Sequence, residues 1–277
     1  HRPNLLVVQV GYTATARKGT ADNEILQFLH AVDPDYTTQN VASGFGSGEA
    51  LIERISDIEK NPKTGEPISG TIDQRLYIME GEFSKILRTA DRRGSILGDV
   101  IRLIYDGRQL ANLTKSKKLI STEHCVSLFG GITPDELLDL FPTLAATSGT
   151  GNRYLWVWSN PDKYLPDGGD HINLANITKT MSTRIANSTQ VYTRTPAAAE
   201  WWNTHYQTLR ASEDVPQAVR SLTTRTTDQI QRIALIYAAT EGADKVDIQH
   251  MEAGLAWTQH SVSTVAADPI KPRVDRL

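Results

Sequence analysis

The stretch GYTATARKGT, residues 11–20, follows directly on the apolar run NLLVVQV and holds residue types that bind phosphate. A phosphate-binding loop lies between a strand and a helix and contains glycine, lysine and threonine. In this arrangement the backbone N–H groups of the loop and the positive N-terminus of the helix point toward the anion. Gly11, Lys18 and Thr20 supply the glycine, the cation and a hydroxyl that can hold Mg²⁺. The stretch therefore predicts a nucleotide-binding loop that works with Mg²⁺.

The loop departs from the usual pattern GxxxxGK[ST]. Ala16, Arg17 and Lys18 stand where Gly-Lys-Thr would fall, and Gly19 and Thr20 come after them. The cation that reaches the phosphates is either Arg17, which a gapless alignment favours, or Lys18, which we choose. A turn that is basic by chance is the alternative. The complete set of predicted loop residues is Gly11, Thr13, Ala16, Arg17, Lys18, Gly19 and Thr20.

Two carboxylates stand at the end of a second apolar run, in RLYIMEGEF. In open α/β sheets ligands collect at the carboxyl ends of the strands. Hydrolysis of a nucleoside triphosphate needs one acidic group near Mg²⁺ and one that activates water. We predict Glu80 as the metal-side carboxylate, with Thr20, and Glu82 as the water activator; both face one side if the strand continues through them. A solvated start of a loop is the alternative interpretation.

Composition limits the remaining possibilities. The net charge is −3, from 29 basic and 32 acidic residues, so contact with nucleic acid must come from a local patch. One cysteine, Cys125, excludes a disulfide framework and a cysteine-only zinc site, and a reducing cytoplasm fits. No apolar stretch approaches the ~18 residues that span a bilayer, so we expect no membrane partner. The first residues already lead into a strand, which predicts a fragment of a longer protein.

Apolar runs and helical patterns alternate along the first part of the chain, which predicts a parallel three-layer α/β domain over residues 1–173. The change to helical patterns predicts a second, smaller helical domain over residues 174–277. The predicted strands lie at 5–10, 37–43, 75–79, 125–132 and 153–159, and the predicted helices at 21–32, 49–60, 83–92, 95–105, 196–210, 226–241 and 247–265.

The order of these motifs, followed by CVSLFGGIT, GNRYLWVW and a helical C-terminal part, resembles that of AAA+ P-loop ATPases. RPNLLVVQVGYTATARKGT, SGFGSGEALI and LFGGITPDEL more closely resemble helicase-like domains of phage, plasmid and integrated-element replication proteins, often found beside a primase-polymerase region. Minichromosome-maintenance helicases share the motif order. The resemblance covers nearly the whole chain. It implies an α/β P-loop NTPase fold (AAA+/RecA-like), a parallel sheet core sandwiched by helices, and a C-terminal all-helical lid.

The resemblance also implies roles for residues outside the loop. Thr133, just past LFGGI, matches a polar sensor of the γ-phosphate. Arg153 of NRYLWVW matches an arginine finger that acts on the neighbouring subunit's nucleotide, where it meets charge that grows in the transition state. Arg225, seven residues before Arg232, matches the sensor of the helical lid. Without the resemblance, Arg153 and Arg225 are surface arginines at the starts of their elements.

Residues 110–124 predict a strand, a basic turn and a strand, just before the sensor strand. Helicases of the resembled type place a hairpin there that points into the central pore. Lys115, Lys117 and Lys118 would contact the DNA backbone without regard to sequence. A solvated turn is the alternative. Trp201, Trp202 and Tyr206 share a helix face and are predicted as core of the lid.

Three functions remain open. The leading hypothesis is an ATP- and Mg²⁺-dependent DNA helicase or translocase module. It would assemble as a homo-oligomeric ring, a hexamer by expectation, act on single-stranded or forked DNA, and share its chain with a primase-polymerase domain. The second is a nucleotide- or DNA-binding platform for replication initiation with weak or no turnover. The third is a monomeric small-molecule phosphotransferase, in which Arg153 and the lysine hairpin would be idle.

Overall fold

A computed structural model of the chain describes residues 2–12, 18–113, 118–146, 149–159, 173–186, 191–210 and 217–266. The strands are β1 (Leu6–Val10), β2 (Val41–Ala42), β3 (Glu59–Lys60), β4 (Pro67–Ser69), β5 (Arg75–Glu80), β6 (Leu110–Leu113), β7 (Lys118–Ser121), β8 (Cys125–Ile132), β9 (Tyr154–Trp158), β10 (Thr193–Arg194) and β11 (Lys245–Val246). The helices are α1 (Lys18–Val32), α2 (Pro34–Asn40), α3 (Gly48–Arg54), α4 (Phe83–Asp91), α5 (Leu97–Asp106), α6 (Pro134–Ala146), α7 (Ala175–Ala186), α8 (Pro196–Arg210), α9 (Gln217–Thr223), α10 (Thr226–Glu241) and α11 (Ile248–Ala266).

A five-stranded sheet in the order β2-β5-β8-β1-β9 forms the centre of the α/β fold. All four pairings within this sheet are parallel. Parallel neighbours need long crossover connections, and the helices supply them. The carboxyl ends of all five strands therefore lie along one edge of the sheet. The parallel α/β core expected from the sequence is confirmed.

The two faces of the sheet are covered differently. Leu6, Val8 and Val10 of β1 are buried in a large apolar cluster with α3, α4, α5 and α6, whereas Val7 and Gln9 are only half-buried. Val7 borders an open apolar cavity of about 240 Å³ between the sheet and helices α10 and α11. The first strand is central, as the apolar run indicates, but it is fully buried on only one of its faces.

The C-terminal helices have an apolar cluster of their own. It is formed by α8, α10, β11 and the start of α11, and Trp202 lies within it while Trp201 and Tyr206 pack against it. Those three aromatic residues therefore belong to a packed core, as predicted. Gly254 of α11 lets the two longest helices approach closely, because a Cβ there would lie 2.5 Å from the carbonyl oxygen of Ile230.

Two predicted elements differ in the structure. Residues 37–43, predicted as a strand, are helical up to Asn40, because Pro34 occupies the first turn and the Asp33 side chain accepts from the Tyr36 backbone N–H. The helix predicted over 49–60 ends at Arg54, and an antiparallel hairpin of β3 and β4 follows, which was not predicted. No described helix is long and apolar enough to cross a membrane.

The outer edge of the sheet, strand β9, is covered by hydroxyl groups of helix α11. The Trp156 backbone N–H donates to Ser261 Oγ at 2.8 Å, and the Trp158 N–H donates to Thr264 Oγ1 at 2.9 Å. An uncovered edge strand offers its unpaired N–H groups to other chains. These two side chains therefore complete the edge in place of a sixth strand.

Removing these hydroxyls is expected to destabilise the protein. Ser261→Ala leaves the buried Trp156 N–H without its partner and should lower the free energy of unfolding by about 1 to 2 kcal/mol, and Thr264→Val should have a similar effect. Ser263→Ala, at an exposed position of the same helix, serves as the control. Urea denaturation measures all three variants. Equal stability of Ser261→Ala and Ser263→Ala would show that the edge does not depend on these bonds.

Candidate functional site

Three neighbouring strands end side by side at the carboxyl edge of the sheet. Val10 is level with Ile132 on one side and with Trp158 on the other. The pairing continues past the strand ends, since the Gly11 N–H donates to the Ile132 carbonyl at 3.1 Å and the Ser159 N–H donates to the Val10 carbonyl at 2.9 Å. The start of the predicted phosphate loop is thus held beside Thr133, the predicted sensor.

The predicted phosphate loop connects the end of β1 to the start of α1. Gly11 is buried, and α1 begins at Lys18, so Gly19 and Thr20 stand exposed in its first turn. No acidic residue lies in that turn, which leaves the positive end of a 15-residue helix without a neutralising carboxylate of its own. Thr13, Ala16 and Arg17, and the side chain of Lys18, lie outside the described residues.

The predicted acidic pair is split between a strand end and a helix start. Glu80 is the last residue of β5, and its carboxylate accepts from the Gly44 N–H at 3.0 Å. Glu82 lies beyond the strand as the residue before helix α4, where it is exposed and pairs with Lys85 at 2.7 Å. The strand ends at Glu80. The alternation of side chains along a strand therefore does not extend to Glu82 and does not put the two carboxylates on one side of the sheet.

Glu80 stands two strands away from the phosphate loop. Glu80 and Val8 are both level with Gly130 of the intervening strand β8. The spacing of strands puts Glu80 about 10 Å to the side of β1.

Gly130 lets α4 come close to the sheet, because a Cβ there would lie 2.7 Å from the Phe83 ring. Gly130, which precedes the predicted sensor, is therefore required by packing.

Thr133 directly precedes helix α6 and takes part in a reciprocal cap. Its Oγ1 donates to Glu136 Oε2 at 3.0 Å and accepts from the Glu136 N–H at 3.2 Å. Ser84 Oγ donates to the other carboxylate oxygen of Glu136 at 2.8 Å, which connects α6 to α4. Thr133 is therefore the residue that caps the start of α6. The hydroxyl is already hydrogen-bonded within the chain, and its role as a phosphate sensor stays a prediction.

Arg153 and Arg225, the two arginines predicted to act on phosphate, meet at one carboxylate. Arg153 is 6% exposed, and its guanidinium lies 2.7 Å from Asp106 Oδ2. Arg225 reaches the other oxygen of Asp106 at 3.6 Å and also pairs with Asp228 at 3.2 Å. The Arg153 guanidinium also donates to the Gly149 carbonyl. Arg153 is thus buried in this chain and is not the surface arginine of the alternative interpretation.

This arginine cluster lies at the amino ends of the strands, whereas the predicted loop lies at their carboxyl ends. Tyr154, the residue after Arg153, is level with Leu6, four residues before the end of β1. That spacing is about 13 Å along the strands. The chain therefore does not bring either arginine to its own predicted loop. Their predicted roles toward a nucleotide can involve only the nucleotide of a neighbouring subunit.

Arg232 fixes the C-terminal helices to the same edge. Its guanidinium donates to the backbone and side-chain oxygens of Asn4 at 2.8 and 2.6 Å and to the Tyr105 carbonyl at 2.7 Å. It also stands 4.0 Å from the Tyr105 ring centroid. Burial lowers the pKa of Arg232 and raises the pKa of Tyr105 to about 12. Arg232 thus has a structural role: it joins α10 to Asn4 and to Tyr105 of α5.

The predicted hairpin is formed by β6 and β7, which pair antiparallel from Leu110–Ser121 to Leu113–Lys118. Lys118 begins the second strand and is exposed. Lys115 and Lys117 lie in residues 114–117, outside the described residues. The two predicted strands and their antiparallel pairing are confirmed, and contact of the lysines with DNA stays a prediction.

A second hairpin, β3 and β4, stands beside the first, and sequence reasoning missed it. Asp57 connects the two: its Oδ1 accepts from Gln74 Nε2 at 2.6 Å and from the Thr122 N–H at 3.0 Å, and its N–H donates to the Ile120 carbonyl at 2.7 Å. The signal that could have found this hairpin is Gly65, at a positive φ of 73°, between residues that pair across a short turn.

Within the described ranges, no group of three or more His, Cys, Asp or Glu residues could hold a metal ion. Mg²⁺ in nucleotide sites is bound by one or two protein oxygens together with phosphates and water. Binding of Mg²⁺ by Thr20 and Glu80 stays a prediction. A scan against protein-family models found no match for the chain, and a search of curated proteins found none either.

Proposed function

We propose that the chain is an ATP- and Mg²⁺-dependent motor module of the DNA helicase or translocase class. The observation that carries the proposal is the convergence at the carboxyl edge. Gly11 follows β1, Thr133 follows β8, and Glu80 is the last residue of β5. The sensor strand β8 lies between the other two strands. A triphosphate on the loop would have the sensor beside it and the carboxylate on the far side.

The arginine cluster supports an assembly of several subunits. Because Arg153 and Arg225 lie at the opposite edge from their own loop, the charge they could supply to a phosphate must cross a subunit interface. Asp106 holds both arginines in one place within the chain. We propose a ring in which this edge of one subunit faces the loop of the next, and in which Arg153 or Arg225 would have to exchange Asp106 for phosphate.

The hairpins supply the proposed contact with DNA. The bases of both hairpins are joined through Asp57 to Gln74 and Thr122, which precede the amino ends of β5 and β8, and the β6–β7 hairpin precedes the sensor strand directly. Lysines at its turn would bind any phosphate backbone, as a motor that moves along DNA requires. A sheet then connects the proposed nucleotide site at one edge to the proposed DNA site at the other.

Loss of the loop cation tests this function. We expect the parent chain to bind a non-hydrolysable ATP analogue with Mg²⁺ and to hydrolyse ATP faster in the presence of single-stranded DNA. Lys18→Ala should weaken binding of the analogue about 10- to 100-fold, since a charge-assisted contact to phosphate is lost. Arg17→Ala distinguishes the two candidate cations. Calorimetry and phosphate release measure these effects; if the parent binds no nucleotide, the motor proposal fails.

A second candidate, a nucleotide- or DNA-binding platform without turnover, is favoured by two contacts. Glu82 is exposed and paired with Lys85, and the Thr133 hydroxyl is occupied by Glu136. Both side chains are therefore already engaged by partners within the chain. Nucleotide binding without phosphate release, with and without DNA, would support the platform instead of the motor.

A further inference from the structure

An open apolar cavity lies beside the start of β1, where the sheet meets the C-terminal helices. Leu5 and Val7 line it from the sheet, and Ile236, Tyr237 and Trp257 line it from α10 and α11. Its volume is about 240 Å³. The predicted phosphate loop follows the other end of β1, so none of the roles proposed above uses this cavity.

The cavity interrupts the cover of a strand at the centre of the sheet. β1 is paired on both sides, with β8 and with β9, and Leu6 and Val8 on its other face are fully buried. Leu5 and Val7, on the side of the cavity, are only half-buried. Apolar side chains that stay open to water forgo the free energy of burial. A concave apolar surface between packed elements is the usual form of a small-molecule site.

One hydroxyl group lies in the wall of the cavity. The Trp257 Nε1–H donates to the Tyr237 hydroxyl at 3.0 Å. This bond uses a lone pair of the hydroxyl oxygen and leaves the O–H of Tyr237 able to donate in turn. The remaining lining side chains are those of leucine, valine and isoleucine. The wall therefore offers apolar contact and a single neutral hydrogen-bond donor.

The surface around the cavity is poorly suited to a protein partner. Trp257 is 39% exposed, and it is the one exposed large apolar side chain of α10 and α11, two helices that the structure describes along their whole length. Glu252, Gln259 and His260 of α11 are also exposed, and they are polar. A stable protein interface needs roughly 800 Å² from each partner, with an apolar centre. The cavity therefore fits a small molecule better than a second chain.

We propose that this cavity binds a small, neutral, mostly apolar molecule that carries one hydrogen-bond acceptor. An apolar cavity of about 150 Å³ takes up benzene, so a volume of about 240 Å³ suits a molecule of roughly ten non-hydrogen atoms. A charged ligand does not fit, because a buried charge without a partner is costly. The acceptor of the ligand would bind the Tyr237 hydroxyl. This inference does not rest on the proposed function.

Two probes of the same shape test the site. Quinoline is a neutral bicyclic molecule with one acceptor nitrogen, and naphthalene lacks that acceptor. The indole N–H signal of Trp257, identified by its loss in Trp257→Phe, follows the binding of each probe in an NMR titration. Tyr237→Phe is expected to weaken quinoline binding about 2- to 10-fold, since one neutral hydrogen bond is lost. Naphthalene should bind to this variant as it binds to the parent.

A second variant tests the volume of the site. Ile236→Phe places a larger side chain in the cavity and should weaken binding of both probes at least about 10-fold. Ile177→Phe makes the same change at an exposed position of α7, and it should bind both probes as the parent does. Circular dichroism checks that each variant is folded. Should Ile236→Phe not fold, the comparison of the two probes on Tyr237→Phe decides alone.

Each other result overturns a defined part of the proposal. If neither probe shifts the Trp257 signal up to its solubility limit, the cavity is not a ligand site, whatever the chain does with ATP. If folded Ile236→Phe binds both probes as the parent does, the probes bind elsewhere and the proposal fails. Equal effects of Tyr237→Phe on both probes would refute the role of the acceptor. A parent dimer that binds no probe and that Ile236→Phe dissociates, measured by light scattering, would assign the cavity to an interface between copies.

Discussion

Replacing Asp106 by alanine is expected to lower the free energy of unfolding by about 3 to 5 kcal/mol. The Arg153 side chain is 7% exposed and lies 2.7 Å from this carboxylate. Without Asp106, the guanidinium keeps its charge but loses its counter-ion in a site that water barely reaches. Arg225 is less affected, since it is 34% exposed and also pairs with Asp228. Urea denaturation of the variant and the parent measures the difference.

Asp99→Ala is the matched control. Asp99 pairs with Arg102 on the same helix, but its side chain is 63% exposed, so its loss should cost less than about 1 kcal/mol. A double variant, Asp106→Leu with Arg153→Met, removes both charges and should recover much of the lost stability. If Asp106→Ala is no more destabilising than Asp99→Ala, Arg153 is not held by Asp106 and is free to serve a neighbouring subunit.

Replacing Glu82 by glutamine is expected to lower the rate of ATP hydrolysis about 100-fold or more, if Glu82 activates water as the sequence predicts. The substitution keeps the size of the side chain but removes its ability to take a proton. Binding of an ATP analogue should change little, because Glu82 lies beyond β5 and is exposed. Steady-state phosphate release, together with calorimetry on the same variant, separates the two effects.

Glu80→Gln and Lys85→Ala complete this experiment. Glu80 is predicted on the metal side, so its amide variant should need a higher Mg²⁺ concentration to reach half of its maximal rate. Lys85→Ala frees Glu82 from its ion pair and should leave hydrolysis intact or raise it. Hydrolysis by Glu82→Gln at the parent's rate would contradict the assignment. If Glu80→Gln alone loses the rate, the two carboxylates have exchanged their predicted roles.

The sequence predicts best those elements whose apolar residues form continuous runs. The strands over 125–132 and 153–159 are found within a residue of their predicted bounds, because a buried parallel strand needs an apolar side chain at nearly every position. Residues 37–43 were mistaken for a strand because the cap formed by Asp33 and Pro34 was overlooked. Strand order could not be read locally, since it depends on pairings between distant segments.

In the candidate site too, the sequence predicts some features and not others. Gly11, Glu80 and Thr133 each follow an apolar strand, and a parallel sheet brings such positions to one edge. Arg153 precedes its strand, so its place at the other edge was also implicit in the sequence. Its burial was not, because that depends on the end of α5 bringing Asp106 to it from 47 positions away in the chain. Local spacing carries no information about such a partner.

The long C-terminal helix α11 has a mechanical consequence. Met251 near its start is packed in the C-terminal apolar cluster, Val265 near its end is packed in the cluster of the sheet, and two of its hydroxyls bond the backbone of β9. A lever anchored at both ends cannot pivot at its middle without breaking one anchorage. We therefore expect any conformational change of this chain to move α11 and strand β9 together as one unit, with the hinge in another part of the chain.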